Sequence, residues 1–391
     1  MKKKNDFKPY LGKRVLIFEG RARQCLPLIR SFKKQGCFVA ALCSSKMDIA
    51  YASRFVDKKY LGVCDNHKER ETLEEIISII SNEHYDLIVP TTDFSAAILS
   101  KNKNEIEKVS RVAVCDYNVF KIAENKNLTM EACQINGIPC PKTFFKLTSK
   151  DDILATGLSF PFVIKPSISY GAIGFKVIKN EKELDEAIAN MSDINSFVIQ
   201  EYIPQTDIQY ECAMFVDENN EIKTSVVFSK NRWFPIEGGS STLNITVERN
   251  DIVENCSKLL KKINWRGAAD IDLIQDPRDG IAKIMEINPR VSGSVRIVFD
   301  AGVDQALQML QLAFGSNVSK FDSYLIGRRL RCSQTDFLWF IKSKNRFKTK
   351  PCWFSNYKTH DQIFYWSDPW PYFLFSIRNI FSYKKEMKKR R

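Results

Sequence analysis

Short apolar runs alternate with helix-like segments over the first third of the chain. The runs are Val15–Phe18, Phe38–Leu42, Asp86–Pro90 and Val112–Val114, and the spacing of apolar residues over Leu73–Ile80 predicts a helix between the second and third runs. Short strands separated by helices are typical of a parallel sheet with crossover connections. We therefore predict a small open α/β domain over residues 1–120.

A second region begins near residue 121. The pattern over Lys121–Asn136 predicts a helix that stops at Gly137, and strands are predicted at Phe162–Lys165, Phe197–Gln200 and Ile284–Ile287. Strands and helices continue to alternate through this region without a repeat. The sequence therefore predicts an α+β core of two subdomains over residues 121–328.

The remaining residues, 329–391, form an aromatic-rich C-terminal segment with a basic tail. Sixteen of the 47 residues from Phe337 to Tyr383 are aromatic, and they include four of the six tryptophans. Pro369 and Pro371 exclude one long helix through this stretch. Packing against the core is the favoured interpretation. The alternatives are closure over an active site, binding of a glycan-linked substrate, and weak peripheral contact with a membrane through the basic tail.

The composition is that of a folded globular protein, with 44% hydrophobic and 27% charged residues. The net charge of +13 lies mostly at the ends, because Lys2–Lys4 contribute +3 and Lys384–Arg391 contribute +5, so we expect no nucleic-acid partner. No apolar stretch reaches the roughly 18 residues of a membrane span, and we expect a cytosolic protein, with peripheral contact at the inner face of the membrane as the alternative. The 11 cysteines include no CxxC pair, which argues against a zinc site.

The most specific motif is Glu286–Arg290, which follows a second acidic strand candidate at Ala269–Leu273. Side chains alternate along a strand, so Asp270 and Asp272 share one face, as do Glu286 and Asn288. Oxygen ligands of this kind suit Mg²⁺. Arg290 would lie beside the metal and could hold a carboxylate or a phosphoryl group with its planar fork. The alternative is a strand edge with solvated charges.

Two further motifs carry less information by themselves. A strand that ends at Lys165 is followed by a loop of small residues with Gly171 and Gly174, which would let backbone N–H groups approach phosphate oxygens. An ordinary hairpin loop would look similar. The stretch Gln200–Pro204, followed by Asp207 and Glu211, could present backbone groups to a purine, although an ordinary strand and turn would also explain it.

The order and spacing of these motifs over about Val15–Gly315 resemble the ATP-grasp superfamily, specifically the carboxylate-amine ligases similar to a half of the carbamoyl phosphate synthase large subunit. The resemblance implies ATP and one or two Mg²⁺ ions as cofactors, with a mobile loop over Ser169–Gly174. It also implies that each site residue has a role. The phosphates of ATP would be contacted by Lys126, Lys165, Ser169, Gly171 and Gly174. Adenine would be held by Gln200, Glu201, Tyr202 and Ile203, and the ribose by Asp207. Magnesium would be ligated by Asp272, Glu286 and Asn288, and the substrate or acyl phosphate would be faced by Arg290, Lys230 and Arg232. The chain departs from the family at Gln205, where relatives often have glycine, and at Asp272, where some have glutamine or glutamate.

The function implied is activation of a carboxylate as an acyl phosphate, followed by its coupling to an amine. The expected substrates are small-molecule or glycan-linked, in the biosynthesis of a bacterial surface polysaccharide or a peptide-like metabolite. A nucleotide-binding sensor or scaffold without activity is the alternative, and phosphoryl transfer to a non-carboxylate acceptor is a third. The oligomeric state stays open, with a homodimer as one possibility. Thr91–Asp93 lies where open α/β sheets place ligand contacts, although a helix cap explains it equally well.

Overall fold

The N-terminal unit is a parallel sheet covered by helices. The structure, a computed structural model, describes residues 8–168, 174–191, 193–204, 208–236 and 239–378. Five parallel strands pair in the order β3-β2-β1-β4-β5. The elements in chain order are β1 (Arg14–Phe18), α1 (Cys25–Lys34), β2 (Phe38–Cys43), α2 (Ile49–Ala52), β3 (Lys58–Leu61), α3 (Glu69–Asn82), β4 (Leu87–Pro90), α4 (Asp93–Lys101), α5 (Lys103–Ile106) and β5 (Arg111–Val112).

The first three predicted strands and the helix between the second and third of them are confirmed, and the central positions of these strands are fully buried. The fourth strand is shorter and begins earlier than predicted, because β5 covers only Arg111–Val112. In a parallel sheet the carboxyl ends of all strands meet at one edge, which is where open α/β sheets bind ligands. Thr92 follows β4 at this edge and caps α4 by accepting a hydrogen bond from the backbone N–H of Ser95. The cap fixes Asp93 as the first residue of the helix.

One predicted helix is wrong in its extent. The stretch 121–136 is divided between α6 (Tyr117–Glu124) and α7 (Lys126–Ile135). The break falls at Asn125, which has extended backbone and accepts a hydrogen bond from the N–H of Asn127. Asparagine favours helix caps over helix interiors because its short side chain competes for backbone donors. The break places Lys126 at the start of α7.

A four-stranded antiparallel sheet follows, with the order β6-β9-β7-β8. It has its own hydrophobic core, formed between the sheet and two helices around Phe162, Ile164, Leu184 and Ile199. Lys165 lies near the end of the second strand in chain order, β7, which is buried. The elements are β6 (Thr143–Phe144), α8 (Lys150–Ala155), β7 (Phe162–Pro166), β8 (Lys176–Ile178), α9 (Glu181–Ile188), a 3₁₀ turn (Ile194–Ser196) and β9 (Phe197–Glu201).

The largest sheet has seven strands in the order β14-β13-β10-β11-β12-β15-β16. Its last two strands come from the end of the chain, so part of the aromatic-rich segment extends this sheet. No helix in the described residues is long and apolar enough to cross a bilayer. The elements are β10 (Gln209–Val216), β11 (Ile222–Phe234), β12 (Ser240–Thr246), α10 (Asn250–Lys262), β13 (Gly267–Gln275), β14 (Ala282–Asn288), α11 (Arg296–Asp300), α12 (Gln305–Ala313), β15 (Arg329–Arg331), α13 (Ser333–Lys342) and β16 (Thr359–Asp361), and residues 370–378 are also helical.

The seven-stranded sheet and the N-terminal unit share one core, in which Val15 and Leu28 belong to the same cluster as Phe228 and Ile363. The C-terminal segment also fastens to the N-terminal unit through polar contacts. Asp368 accepts a hydrogen bond of 2.5 Å from Ser53, and the guanidinium of Arg378 lies 2.8 Å from Asp48. The first and last parts of the chain are therefore held together.

Candidate active site

Acidic side chains stand opposite one another on three neighbouring strands of the seven-stranded sheet. Glu211 on β10 pairs in register with Asp272 on β13, and Asp272 pairs with Glu286 on β14. Side chains of directly opposed residues project from the same face of a sheet, with Cβ atoms about 5 Å apart. Asp270 and Asn288 form a second opposed pair two residues further along. Five oxygen-bearing side chains therefore gather on one face.

The ammonium group of Lys230 on β11 bridges two of these carboxylates. Its Nζ lies 2.9 Å from Glu211 Oε2 and also contacts Asp272 Oδ1. Burial opposes the charge on Lys230, but Asp272, Glu211 and Asp270 together raise its pKa above the usual range. Burial, reinforced by repulsion from Glu211 and Glu286, also raises the pKa of Asp272 to about 6 against the pull of Lys230. Lys230 therefore stays protonated at neutral pH.

Asp270 is the carboxylate of the cluster whose negative charge is opposed most strongly by its surroundings. Burial and the neighbouring charge of Glu211 raise its pKa well above the ordinary value. Its Oδ1 atom is buried, and no hydrogen-bond donor reaches it in the part of the chain that the structure describes. Arg290 is the nearest cation, with Nη1 at 3.6 Å from Oδ2. A buried carboxylate oxygen that accepts no hydrogen bond has room to accept a cation.

Two lysines from other elements approach the same sheet. Lys126 Nζ, at the start of α7, lies 3.2 Å from Glu286 Oε2. Burial favours a neutral Glu286, but the charges of Lys126 and Lys165 lower its pKa. Lys165 is itself only 7% exposed, and burial with repulsion from Lys126 lowers its pKa to about 8 although Glu286 opposes the shift. The two lysines carry positive charge toward the acidic face.

Arg290 connects this cluster to the N-terminal unit. Its guanidinium pairs with both carboxylate oxygens of Asp93, with Nε 3.1 Å from Oδ1 and Nη2 3.3 Å from Oδ2. It also donates to Asn288 Oδ1 at 3.2 Å. A guanidinium group held from two sides has a fixed orientation and a permanent positive charge. The capped start of α4 therefore positions Arg290.

The donor set of this cluster fits Mg²⁺ and a polyphosphate. Magnesium takes oxygen ligands, commonly one or two protein carboxylates, and completes its octahedron with water and phosphate oxygens. Among the described residues, no group of three or more His, Cys, Asp or Glu side chains is already arranged to hold a metal ion without other ligands. Asp272, Glu286 and Asn288 are placed to supply the protein ligands. Lys126 and Lys165 are placed to neutralise phosphate charge.

The predicted adenine segment is only partly available for binding. The side chain of Gln200 is buried and donates to Thr143 Oγ1 at 2.8 Å. Glu201 accepts from the backbone N–H of Lys142 at 2.8 Å and pairs with Arg278 at 2.7 Å. These side chains therefore organise the strand end rather than face a ligand. Tyr202 is half-buried and Ile203 is buried, directly after β9.

Arg232 is not part of the cluster. It is buried, and its Nε lies 2.9 Å from Asp336 Oδ1 on α13. The register of β11 against β12 is irregular between Lys230 and Arg232, so the two residues face opposite sides of the sheet. The prediction that Arg232 contacts substrate or phosphate is wrong for this reason. Its contacts instead hold α13 against the sheet.

Three predicted cofactor-binding residues, Ser169, Gly171 and Asp207, lie outside the described residues. Gly174, which closes the loop, has a φ of 76°. A Cβ atom there would come within 2.8 Å of Pro166 Cγ, so only glycine fits this approach. The backbone therefore returns from the loop directly beside the strand that carries Lys165.

Sequence reasoning left three residues out of the candidate site. Glu211 was identifiable as an acidic residue within an otherwise apolar strand, and Asp270 shares the alternation of Asp272. Asp93 was noted at a strand end that could contact a ligand or cap a helix, with no indication of its partner. Its contact with Arg290 joins residues 197 positions apart, which no local pattern predicts.

Comparisons with known proteins identify a domain family, a relative and solved structures that this chain resembles. The family model described as an ATP-grasp domain matches residues 123–294. The chain is 23% identical over 319 residues to a D-aspartate ligase of Enterococcus faecium (strain Aus0004), with 75% of each chain covered. The biotin carboxylase domain of Hydrogenobacter thermophilus 2-oxoglutarate carboxylase, solved with MgADP, ADP and bicarbonate, has a TM-score of 0.67 at 19% identity, covering 82% of this chain and 73% of that chain. N5-carboxyaminoimidazole synthetase from Staphylococcus aureus has a TM-score of 0.65 at 17% identity, with 82% of each chain covered. The two solved structures share the fold.

Proposed function

We propose that the chain is an ATP-dependent ligase of the ATP-grasp type, which activates a carboxylate as an acyl phosphate and couples it to an amine; the match of residues 123–294 to the ATP-grasp domain and the similarity to a D-aspartate ligase support this. The products of this reaction are an amide, ADP and phosphate. ATP and Mg²⁺ are its cofactors. The observation that carries the proposal is the gathering of Asp272, Glu286 and Asn288 on one sheet face, opposite Lys126 and beside Arg290.

The two steps of this reaction assign separate tasks to the side chains. In the first, a carboxylate oxygen of the substrate bonds to the γ-phosphorus while the bond between that phosphorus and the β,γ-bridging oxygen breaks, so ADP leaves. ATP supplies the phosphoryl group, and Mg²⁺ neutralises its charge when both are bound. Lys126 and Lys165, which both lie near Glu286, add positive charge, and Arg290 orients the reacting anion.

In the second step, the amine nitrogen bonds to the acyl carbon and the carbon–oxygen bond to phosphate breaks. The nitrogen loses a proton, which the departing phosphate or water takes up. Arg290 is placed to hold the departing phosphate, since its fork matches a tetrahedral oxyanion. The acyl phosphate reacts with water unless the site excludes it. Gly174 approaches Pro166, the neighbour of Lys165, and the residues just before Gly174 are our candidate for that exclusion.

For the substrates, we propose an amino acid as one partner and a small-molecule or glycan-linked group as the other. The similarity to a D-aspartate ligase supports the amino acid. Arg290, with Asp93 behind it, is the cationic group that would receive a carboxylate. The pathway we propose makes a bacterial surface polysaccharide or a peptide-like metabolite.

Two alternatives lead to different outcomes in one experiment. The protein is given MgATP with pairs of amino acids and amines or uronic-acid sugars, and phosphate release and product mass are recorded. A ligase needs both co-substrates and yields an amide. ADP formation with a phosphorylated product and no amide would indicate a phosphoryl transferase, and nucleotide binding without turnover of any pair would favour a sensor.

Glu286→Gln should abolish turnover, because it removes a carboxylate that is placed to bind the metal and also contacts Lys126. Circular dichroism should show an intact fold. Glu71→Gln is the matched control, since Glu71 pairs with Lys68 on an exposed helix remote from the cluster. Turnover by Glu286→Gln at the rate of the control would remove Glu286 from the metal site.

A further inference from the structure

The helix at residues 370–378 turns apolar side chains toward solvent. Trp370 is 67% exposed, Phe373 50% and Ile377 44%. The spacing of these residues, i, i+3 and i+7, places them on one helix face. Trp366, just before the helix, is 90% exposed. Surface helices of globular proteins normally present polar residues on this side.

The orientation of this helix is fixed by its other face. Tyr372 and Phe375 pack against the core that the N-terminal unit shares with the seven-stranded sheet. Arg378 pairs with the buried Asp48 at 2.8 Å. The helix therefore cannot turn its apolar residues inward without breaking these contacts, and their exposure belongs to the folded protein.

A second apolar area lies next to the first. On α13, Phe337 and Ile341 are about half exposed and four residues apart, so they share a face. Gln334, at the start of α13, donates to Ser376 Oγ of the terminal helix at 2.8 Å, which ties the two helices together. The loop after α13 adds further exposed aromatic rings, Phe347, Phe354 and Tyr357. Together these residues and those of the terminal helix form one docking face.

The charge of this region is almost entirely positive. Residues 333–391 contain 13 lysines and arginines and four acidic residues, a net +9 of the chain's +13. The acids of the described part point inward or are saturated by hydrogen bonds: Asp336 and Asp368 are buried, and Asp361 accepts from the N–H groups of Ile363 and Phe364. The bases remain outside, with Lys342, Lys344, Lys348, Lys350 and Lys358 exposed.

We propose that the docking face binds an anionic lipid bilayer. Tryptophan and tyrosine rings favour the boundary between headgroups and acyl chains, and lysines beside them attract anionic lipids. Six of those 13 bases follow residue 378 in the sequence. A second copy of this chain is a poorer occupant, because pairing two such faces would oppose two strongly positive surfaces. The proposal does not depend on the ligase activity.

The test uses the full chain with sucrose-loaded vesicles of phosphatidylcholine alone or with phosphatidylglycerol at low salt. We expect about tenfold or greater enrichment on the anionic vesicles, lost at high salt. Combined Trp366→Ser, Trp370→Ser and Phe373→Ser should reduce that binding about tenfold. The matched control replaces two equally exposed apolar residues elsewhere, Leu11→Ser and Ile135→Ser, and should bind as the native chain does.

Equal binding to neutral and anionic vesicles, or equal loss in the control, would overturn the proposal. So would a dimer in sedimentation experiments that the triple substitution dissociates, since the face would then be an interface between copies. Saturable binding to single-stranded RNA that competes with the vesicles would overturn it as well. Nucleotide binding by the triple variant provides the folding check, because the docking face lies outside the candidate active site.

Discussion

Lys165 offers a test of the candidate site that needs no knowledge of the substrates. Burial and the nearby charge of Lys126 lower its pKa from 10.5 to about 8. At about 1.4 kcal/mol per pKa unit, this shift corresponds to about 3 kcal/mol of unfavourable charging in the unliganded protein. Phosphate oxygens placed beside Lys165 would offset that cost. Its pKa should therefore return toward the ordinary lysine value when MgATP binds.

The consequence is proton uptake on binding. At pH 8 about half of the Lys165 side chains are neutral, so saturation with MgATP should draw about half a proton per molecule onto this residue. At pH 6 the lysine is already protonated and its uptake should vanish. Isothermal titration calorimetry in two buffers with different ionisation enthalpies measures the number of protons directly.

Two variants isolate the contribution of Lys165 from that of the carboxylates. Lys165→Met removes the titrating group, and Lys165→Arg keeps a permanent charge, so both should lack the Lys165-linked uptake, whereas only the arginine variant should retain most of the affinity for MgATP. Equal proton uptake by the native chain and Lys165→Met at pH 8 would refute the placement of Lys165 beside the phosphates.

Two further substitutions test the contacts that frame the site. Asp93→Asn should weaken the ion pair that orients Arg290 and raise the KM for the carboxylate substrate about tenfold, as measured by phosphate release. The affinity for ADP, measured by calorimetry, should stay unchanged. A loss of ADP affinity instead would place Arg290 at the nucleotide. Asp336→Ala should lower the free energy of unfolding in urea by about 3–5 kcal/mol, because the buried Arg232 loses its counter-ion. The control Asp322→Ala, at an exposed pair with Lys320, should leave the urea midpoint unchanged, and a midpoint for Asp336→Ala equal to that of the control would contradict the buried pair.

The local patterns in the sequence predicted the parts of the fold that depend on neighbouring residues. Alternation along β13 and β14 correctly placed Asp272 with Asp270, and Glu286 with Asn288, on one face of the sheet, and the apolar runs located the N-terminal strands β1 and β2. The resemblance grouped Lys230 with Arg232, but an irregularity in the pairing of β11 turns the two side chains to opposite faces. A bulge depends on the partner strand, which no period within one strand reveals.

Long-range pairing accounts for most of what could not be predicted. Glu211 became a candidate site residue only when β10 was seen to lie beside β13, about 60 residues later. The aromatic-rich segment gave no alternating pattern from which β15 and β16 could be assigned. These strands are three residues long and owe their place to the edge of an existing sheet.

The division of the buried residues into separate hydrophobic cores determines which part of the molecule can move as a unit. The N-terminal unit and the seven-stranded sheet are built around a common interior, and the chain end is tied to both by Asp368 and Arg378. The four-stranded sheet that carries Lys165 has a separate interior of its own. We therefore expect this small sheet to be the part that moves when a nucleotide enters, because it can tilt without breaking the core that the N-terminal unit shares with the seven-stranded sheet.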